Sequence, residues 1–411
     1  TPCGTLFPYT TLFRSGDLNF VAPIITMFFL NTYGMVNLTA GLEKLANNPS
    51  FRPQIKIHWI FSLIGAVGCY GAMFLINWIA TIFAIVLSTA IFFILEQRSM
   101  KRTWGDVRQG IWFALSRFSL LKLEDYSWHV KNWRPNILVF TGQPYNREQL
   151  VEVSECLTTG RGIVTFSQLI IGDVGELGGK GMRDVARKHI KNYIRDRKMG
   201  AFAESQIVPE FSQGVLAITQ SHGIGGLEPN SILMGWSREP GGTENQLRLQ
   251  RDLFRIRKSI FFLHFDQERG FGDKNRIDVW WGGKDRNAEL MLLLSHLFTL
   301  HPSWRGANVR LLRVVDKEEG RETAELFMGE MLEDIRVDAQ PVVIVRDDPE
   351  QRISNIIREE SHQSDLTFMG MKVPELEEIP DYAKYLTDLV NDLGTVMLVR
   401  SAQTEDVLET G

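Results

Sequence analysis

Two stretches near the start of the chain contain no Asp, Glu, Lys or Arg, residues 18–42 and 57–95. A bilayer core takes about 20 helical residues for each crossing. As one helix the second stretch would be roughly 58 Å long, at about 1.5 Å per residue, which is too long for a single crossing. The pattern therefore predicts three membrane spans, over 18–42, 57–76 and 79–96, with a tight turn at Asn77-Trp78.

From residue 133 the pattern changes to short apolar runs that alternate with helical segments. This alternation predicts a mostly parallel sheet flanked by helices. There are enough strands for two α/β halves, over 133–269 and 270–402, followed by a polar tail over 403–411 that we expect to fray. The predicted strands are 137–141, 163–171, 201–208, 232–236 and 260–265 in the first half and 277–281, 309–315, 341–345, 366–369 and 396–399 in the second.

Residues 99–132 connect the membrane part to the α/β part. Within 104–125, apolar residues recur at helical spacing, with Arg108, Arg117 and Lys122 between them. This predicts an amphipathic linker helix that either lies on the membrane surface or packs against a partner. We favour a joint between the membrane part and the α/β part.

The basic residues predict how the spans are oriented, because lysine and arginine mark cytoplasmic loops. Arg98, Lys101 and Arg102 follow the third span, and the loop between the first two spans is also basic. Both are therefore predicted to be cytoplasmic, which puts Gly16 outside the cell and predicts that earlier spans precede it. Residues 1–15 resemble a translated sequencing adaptor, and we leave them out of the fold prediction.

Composition excludes several classes of protein. A net charge of -4 gives no basic footprint for nucleic acid. Cys3, Cys69 and Cys156 lie far apart without metal-ligand spacing, so the sequence predicts neither a disulfide framework nor a metal site. The histidines and acidic residues form no Ser/His/Asp pattern, no HExxH motif and no paired-carboxylate box. The sequence therefore predicts no catalytic residues.

One glycine-rich loop lies between a predicted strand and a predicted helix. Its glycines are Gly175, Gly178, Gly179 and Gly181, and a helix N-terminus there could hold a phosphate. The Walker pattern fails, because Lys180 is followed by Gly181 instead of Ser or Thr and the leading glycine is absent. We favour a turn that requires glycine and keep nucleotide binding by Gly179, Lys180 and Gly181 as the weaker alternative.

The first predicted span carries several polar side chains, which are Asn31, Thr32, Tyr33, Asn37 and Thr39. Polar groups are costly within a bilayer and often mark a transport pathway. A tyrosine hydroxyl can donate a hydrogen bond to a dehydrated anion. Hydrogen bonding between helices explains these residues equally well, and the spacing leaves both interpretations open.

A series of long motifs runs in order along nearly the whole chain, from Asp17 to about Arg400. They are DLNFVAPIITMFFLNTYGMVNLTAGLEKLANNPSFRPQIK from residue 17, FLINW from 74, HVKNWRPNILVFTG from 129, GIGGLEPNSILMGW from 223, IDVWW from 277 and VMLVR from 396. With these motifs the chain resembles the cation-chloride cotransporters, the family of Na-K-Cl and K-Cl symporters. The short segment 316–321 resembles compact prokaryotic members, because animal relatives often carry long insertions there.

The resemblance implies the last three of twelve spans of an inverted-repeat transporter of the amino acid–polyamine–cation superfamily. It also implies a cytoplasmic regulatory domain of two halves that resemble universal stress proteins. Tyr33 matches the tyrosine of the tenth span that contacts a chloride in the family. The family's cation-site residues lie mainly on spans that are absent from this chain.

These features lead us to expect the C-terminal part of a multi-pass plasma (inner) membrane symporter that moves chloride with sodium and/or potassium. The resemblance implies a homodimer in a lipid bilayer, joined to the missing N-terminal spans, with no required cofactor and with ATP in the first cytoplasmic half of some members. One alternative is an amino-acid permease of the same superfamily. Another is a membrane-tethered domain that senses nucleotide.

Overall fold

The computed structural model describes residues 18–45, 57–97, 107–125, 133–239, 241–282, 287–346, 348 and 350–402. The chain divides into two compact units, a helical unit within residues 1–125 and an α/β unit within residues 126–411. The predicted adaptor-like segment, the basic residues that set the orientation and the polar tail lie outside the described residues.

The helical unit contains four described helices. They are α1 Leu18–Leu45, α2 Trp59–Ile76, α3 Trp78–Gln97 and α4 Val107–Asp125. The predicted break at Asn77 is confirmed, and Asn77 alone separates α2 from α3. Its N–H donates to the Met73 carbonyl at 3.1 Å, and its side-chain oxygen accepts the Ala80 N–H at 3.0 Å. One residue therefore satisfies backbone groups at the end of one helix and the start of the next.

Glycines bring α1 and α2 close together. A Cβ at Gly34 would lie 3.0 Å from the ring of Tyr70, and a Cβ at Gly41 would lie 2.8 Å from Leu63. Small residues of this kind let membrane helices approach each other closely. Met27 and Met73 are buried where α1 and α2 meet, and α3 adds Ala84 to the same cluster.

Only Trp59–Ile76, among the helices in the described part of the chain, is long and apolar enough to cross a membrane by length and composition. The predicted spans over 18–42 and 79–96 coincide with helices α1 and α3, but their crossing of a bilayer stays a prediction. Polar side chains such as Asn31 and Thr32, and the charges Glu43 and Lys44, lower the apolar character of α1.

Helix α4 falls within the predicted linker helix. Its exposed side chains include the large apolar residues Trp112, Phe113 and Phe118. The contact of this helix with a membrane or a partner stays a prediction.

The α/β unit alternates strands and helices as predicted, and each strand begins within one residue of its predicted start. Its first half contains β1 Asn136–Phe140, α5 Glu148–Thr158, β2 Ile163–Ile171, α6 Met182–Asp196, β3 Phe202–Val208, α7 Phe211–Ser221, β4 Ser231–Gly235, α8 Gly242–Arg255 and β5 Ser259–His264. Its second half contains β6 Arg276–Trp280, α9 Asn287–Leu300, β7 Asn308–Val315, α10 Arg321–Ile335, β8 Gln340–Val345, α11 Ile353–Ser361, β9 Leu366–Gly370, α12 Ile379–Asn391 and β10 Val396–Arg400.

The two halves share one sheet of 10 strands, in the order β3-β2-β1-β4-β5-β10-β9-β6-β7-β8. Within each half the strands are parallel and follow the same order, third-second-first-fourth-fifth. The two fifth strands pair antiparallel, with Val396 opposite His264 and Arg400 opposite Ile260. The two halves are therefore related by an approximate two-fold axis at this seam and are not separate sheets.

Helices cover both faces of the sheet, and the strands are apolar on both sides for that reason. In β1, Ile137 and Val139 belong to one core cluster, whereas Leu138 and Phe140 belong to the other. Each cluster contains residues from both halves, for example Phe166 with Phe368 on one face. The core thus runs across the seam, and the carboxyl ends of the strands in each half meet at one edge.

Candidate functional sites

Tyr33 lies in the interior of α1, on a face that the other described helices leave uncovered. Its side chain is 60% exposed, as is that of Phe29 one turn earlier. Asn31, by contrast, is buried at 5%. Of the polar residues predicted in this span, the structure thus leaves Tyr33 facing outward and Asn31 facing the neighbouring helices.

The predicted nucleotide loop is an exposed turn that leads into α6. Residues Gly178–Lys180 form a short 3-10 helix, and Gly181 adopts a left-handed conformation with φ 65° directly before α6. A side chain at that φ is strained, so the turn itself requires a glycine there. The loop follows β2, whose neighbours are β1 and β3. The loop therefore lies one strand away from the boundary between β1 and β4, where the strand order of the first half reverses.

In parallel sheets flanked by helices, ligands bind beyond the carboxyl ends of the strands at the point where the strand order reverses. These switch points lie between β1 and β4 in the first half and between β6 and β9 in the second. At the second of them the structure has a cavity of about 350 Å³. Its walls include Trp280, Trp281, Gly282, Arg313, Met369, Gly370, Tyr382 and Tyr385.

This cavity, which we call the second-half cavity, is lined mainly by aliphatic side chains, together with four aromatic residues and Arg313. The Arg313 guanidinium carbon lies 4.6 Å from the centre of the Trp281 ring. Trp281 in turn stacks on Phe327 at 5.7 Å, and Tyr382 stacks on Tyr385 at 6.2 Å. Arg313 and Phe327 therefore cover the Trp281 ring, and the positive charge of the cavity lies against that ring.

A second cavity, of about 490 Å³, lies at the carboxyl ends of β4 and β5. It is lined by polar side chains, among them Arg238, His264 and Asp266. Burial, and to a lesser extent the Arg238 guanidinium, lowers the pKa of His264 to about 4, so this imidazole is neutral at physiological pH. Trp236 also lines the cavity, and its indole N–H is buried without a hydrogen-bond partner in the described part of the chain.

A buried ion cluster surrounds Asp278 in the middle of β6. Its carboxylate, which is 0% exposed, accepts two hydrogen bonds from Arg310 at 2.8 Å each and two from Arg276 at 3.2 and 3.3 Å. The Ser361 hydroxyl donates to it at 2.7 Å and accepts the indole N–H of Trp280 at 2.9 Å. Burial raises the pKa of the Asp278 carboxyl to about 6, whereas Ser361 and Arg276 favour its charged form.

Asparagine residues in two of the quoted motifs hold the first half together. The side chain of Asn230 accepts the Asn136 N–H at 3.1 Å and donates to the Arg134 carbonyl at 2.6 Å. The side chain of Asn136 donates to the Leu227 carbonyl at 2.8 Å. These motif residues fix the start of β1 against the start of β4 and contact no candidate site.

Sequence reasoning missed the second-half cavity and the ion cluster, although two signals were present. An acidic residue, Asp278, interrupts a predicted buried strand, and two tryptophans, Trp280 and Trp281, stand together where that strand ends. In the part of the chain that the structure describes, no group of three or more His, Cys, Asp or Glu side chains is placed to hold a metal ion.

Comparisons with known proteins agree with the order of the two parts. An amino acid permease model matches residues 16–139, and the model of solute carrier family 12 matches residues 147–251. The chain is similar to the cytoplasmic domain of a prokaryotic cation chloride cotransporter, at 15% identity and a TM-score of 0.47, over 67% of this chain and 99% of that one. It is also similar to a universal stress protein from Archaeoglobus fulgidus DSM 4304, at 11% identity and a TM-score of 0.45, over 67% and 100% of the two chains.

Proposed function

We propose that the chain belongs to the cation-chloride cotransporter family and that it is the C-terminal part of a symporter that moves chloride with sodium and/or potassium. The two family models carry this proposal, because a transporter model matches the helical unit and the solute carrier model matches the first half of the α/β unit. In the proposal, the helical unit ends the membrane bundle and the α/β unit is its cytoplasmic regulatory part.

The placement of Tyr33 supports a role at the chloride site. Its side chain is 60% exposed on α1, so its hydroxyl is accessible. A phenol hydroxyl donates a hydrogen bond to an anion that has lost its water, which compensates part of the cost of dehydration. We propose that Tyr33 donates to transported chloride and that α1 belongs to the transport core.

Transport by the full-length protein tests the proposed function. Proteoliposomes should take up labelled rubidium or sodium when chloride is present, and uptake should fall to background when gluconate replaces chloride. Cation uptake that is indifferent to chloride would refute the proposal.

The match of residues 16–139 to an amino acid permease model favours an amino-acid permease as the second candidate. In the same proteoliposomes, that candidate predicts saturable uptake of labelled amino acids that is independent of chloride. The proposed function predicts no such uptake.

The variant Tyr33→Phe tests the chloride site, because it removes the hydroxyl and keeps the ring. We expect the chloride concentration for half-maximal uptake to rise by about ten-fold, the equivalent of one hydrogen bond to an anion. Tyr70→Phe is the matched control, because the Tyr70 ring packs against Gly34 and keeps that contact as phenylalanine. An unchanged chloride dependence in Tyr33→Phe would remove Tyr33 from the site.

We further propose that the α/β unit is cytoplasmic and dimerises, and that α4 transmits its state to the membrane part as a coupling free energy between sites. Deletion of the α/β unit from the complete transporter should then change the rate of cation uptake without abolishing its chloride dependence. Loss of the chloride dependence itself would contradict a regulatory role. Nucleotide binding by Gly179, Lys180 and Gly181 stays a prediction.

A further inference from the structure

We propose that the outer side of helix α6 docks on the anionic phospholipid surface of the membrane. This side carries a row of exposed cations and begins with exposed apolar side chains, and the equivalent helix of the second half carries the opposite charge. The proposal rests on the membrane position proposed above for the helical unit, but it does not depend on transport.

The cations lie on the side of α6 that faces away from the sheet. Ile190 lies on the inner side, in the core of the α/β unit. Lys188, Lys191 and Arg195 follow one another at spacings of three and four residues, which places them on one side of the helix, and Lys198 comes just after its end. All four are exposed. The helix therefore presents a row of four positive charges to the solvent.

These cations are available to an anionic partner. None of the three lysines forms an ion pair within the described part of the chain. Arg195 lies 3.6 Å from Asp196, but both side chains are largely exposed, and such pairs are weak. Arg183 and Arg187, by contrast, donate to backbone carbonyls of the edge strand β3 at 2.8 and 3.1 Å. The basic residues of α6 thus divide into two that cover β3 and a row that faces outward.

Exposed apolar side chains lead into the row. Val174 is 60% exposed in the loop before α6, and Met182 and Val185 are 43% and 51% exposed near its start. Apolar side chains beside lysine and arginine are typical of helices that lie on anionic membranes. Single-stranded nucleic acid stacks its bases on aromatic side chains, and none of these three is aromatic. The combination therefore favours a lipid surface over nucleic acid.

The equivalent helix of the second half shows that the fold does not require this charge. Helix α10 has the same place in its half as α6, after the second strand. It contains one arginine, no lysine and five acidic residues, whereas α6 contains five lysines and arginines and two aspartates. Since both helices pack on the same kind of sheet, we attribute the positive charge of α6 to a partner of the first half.

Lysine footprinting of the full chain in nanodiscs tests the proposal. The rate at which a water-soluble acetylating reagent modifies each lysine is compared between discs of phosphatidylcholine and discs of phosphatidylcholine with phosphatidylglycerol. A lysine near an anionic surface strengthens binding about five-fold, so acetylation of Lys188, Lys191 and Lys198 should slow by about that factor in the anionic discs. High salt should reverse the effect. Lys317, exposed directly before α10, should react equally in both kinds of disc.

Paired variants separate charge from the mere presence of lysine. Lys188→Glu with Lys191→Glu should return Lys198 to the rate that it has in neutral discs. Lys188→Arg with Lys191→Arg keeps the charge, so Lys198 should stay protected. Both positions are exposed, and we expect both pairs to fold.

Equal acetylation of the three lysines in neutral and anionic discs would overturn the proposal. Protection that is already complete in neutral discs would indicate a protein surface, such as a second copy, and would also overturn it. So would protection by added single-stranded RNA without any by anionic lipid. Protection in anionic discs by a protein that shows no chloride-dependent uptake would support the docking surface while refuting the proposed function.

Discussion

The two halves of the α/β unit repeat the same strand order and begin it in the same way. In the first half Asn230, directly before β4, accepts the N–H of Asn136 at 3.1 Å. In the second half Asp365, directly before β9, accepts the N–H of Arg276 at 3.0 Å. One side chain thus fixes the start of the first strand in each half. Both halves fix the start of their first strand in this way, with an asparagine in the first half and an aspartate in the second.

The interiors of the two halves differ at equivalent positions. The registers make Leu138, Thr165 and Asn136 the counterparts of Asp278, Arg310 and Arg276. Leu138 belongs to an apolar cluster, whereas Asp278 is buried with two arginines. The same backbone therefore accommodates either an apolar residue or a compensated charge. In the second half, the Ser361 hydroxyl donates to Asp278 and accepts the indole N–H of Trp280, which lines the second-half cavity.

The largest expected effect comes from converting Asp278 into its first-half counterpart. Asp278→Leu should lower the free energy of unfolding by roughly 3 kcal/mol, because it leaves the partly buried Arg276 and Arg310 without the carboxylate that they share. Adding Arg310→Thr and Arg276→Asn should recover most of that loss, because it removes the two cations that Asp278→Leu leaves without their shared carboxylate. Denaturant unfolding of the full chain in detergent measures both. A triple variant no more stable than the single one would show that the two interiors are not interchangeable.

A smaller effect is expected at the seam, where His264 is the counterpart of Arg400. The pKa of His264 falls from 6.5 to about 4 on folding, so between these values the unfolded chain binds more protons. Stability is therefore lost as the pH falls through this window, and this residue should account for about 2 kcal/mol between pH 7 and about pH 5. Over the same pH range, the unfolding free energy of His264→Gln should change by about 2 kcal/mol less than that of the unmodified chain. An equal change in both proteins would contradict this role of His264.

The smallest effect concerns the start of the third helix in each half. Glu210 precedes α7 and accepts the N–H groups of Ser212 and Gln213 at 2.8 and 2.9 Å, which lowers the pKa of its carboxyl. Arg352 precedes α11 and makes no such bond. Glu210→Ala should cost roughly 1 kcal/mol, whereas Arg352→Ala should cost nothing measurable. Thermal unfolding of both variants checks the difference, and equal losses would argue against capping as its cause.

The order of the elements could be predicted because each strand is a short apolar run between helical segments. The break at Asn77 could be predicted because the uncharged stretch was too long for one crossing. The pairing of β5 with β10 could not, because residues 259–264 and 396–400 are both apolar and neither sequence specifies a partner strand. Two linked halves were predicted, but the single continuous sheet was not.

The candidate sites were less accessible to sequence reasoning. Gly179 and Gly181 attracted attention because glycine-rich loops before helices often hold phosphates, yet this loop lies away from the switch point of its half. Trp281, Arg313 and Tyr385 belong to three elements that are distant in sequence, and only the topology brings them to one cavity. Tyr33 could be proposed only through the resemblance, because its spacing is equally compatible with packing between helices.

The most direct test of the central claim, coupled movement of chloride and a cation, is a gradient experiment on the complete transporter. Proteoliposomes would be prepared with equal sodium and potassium on both sides, no membrane potential and an inward chloride gradient. A cation-chloride symporter should then accumulate labelled rubidium or sodium above its outside concentration until the chloride gradient decays. If neither cation rises above equilibrium while chloride itself enters, chloride and cation movement are uncoupled and the account is contradicted.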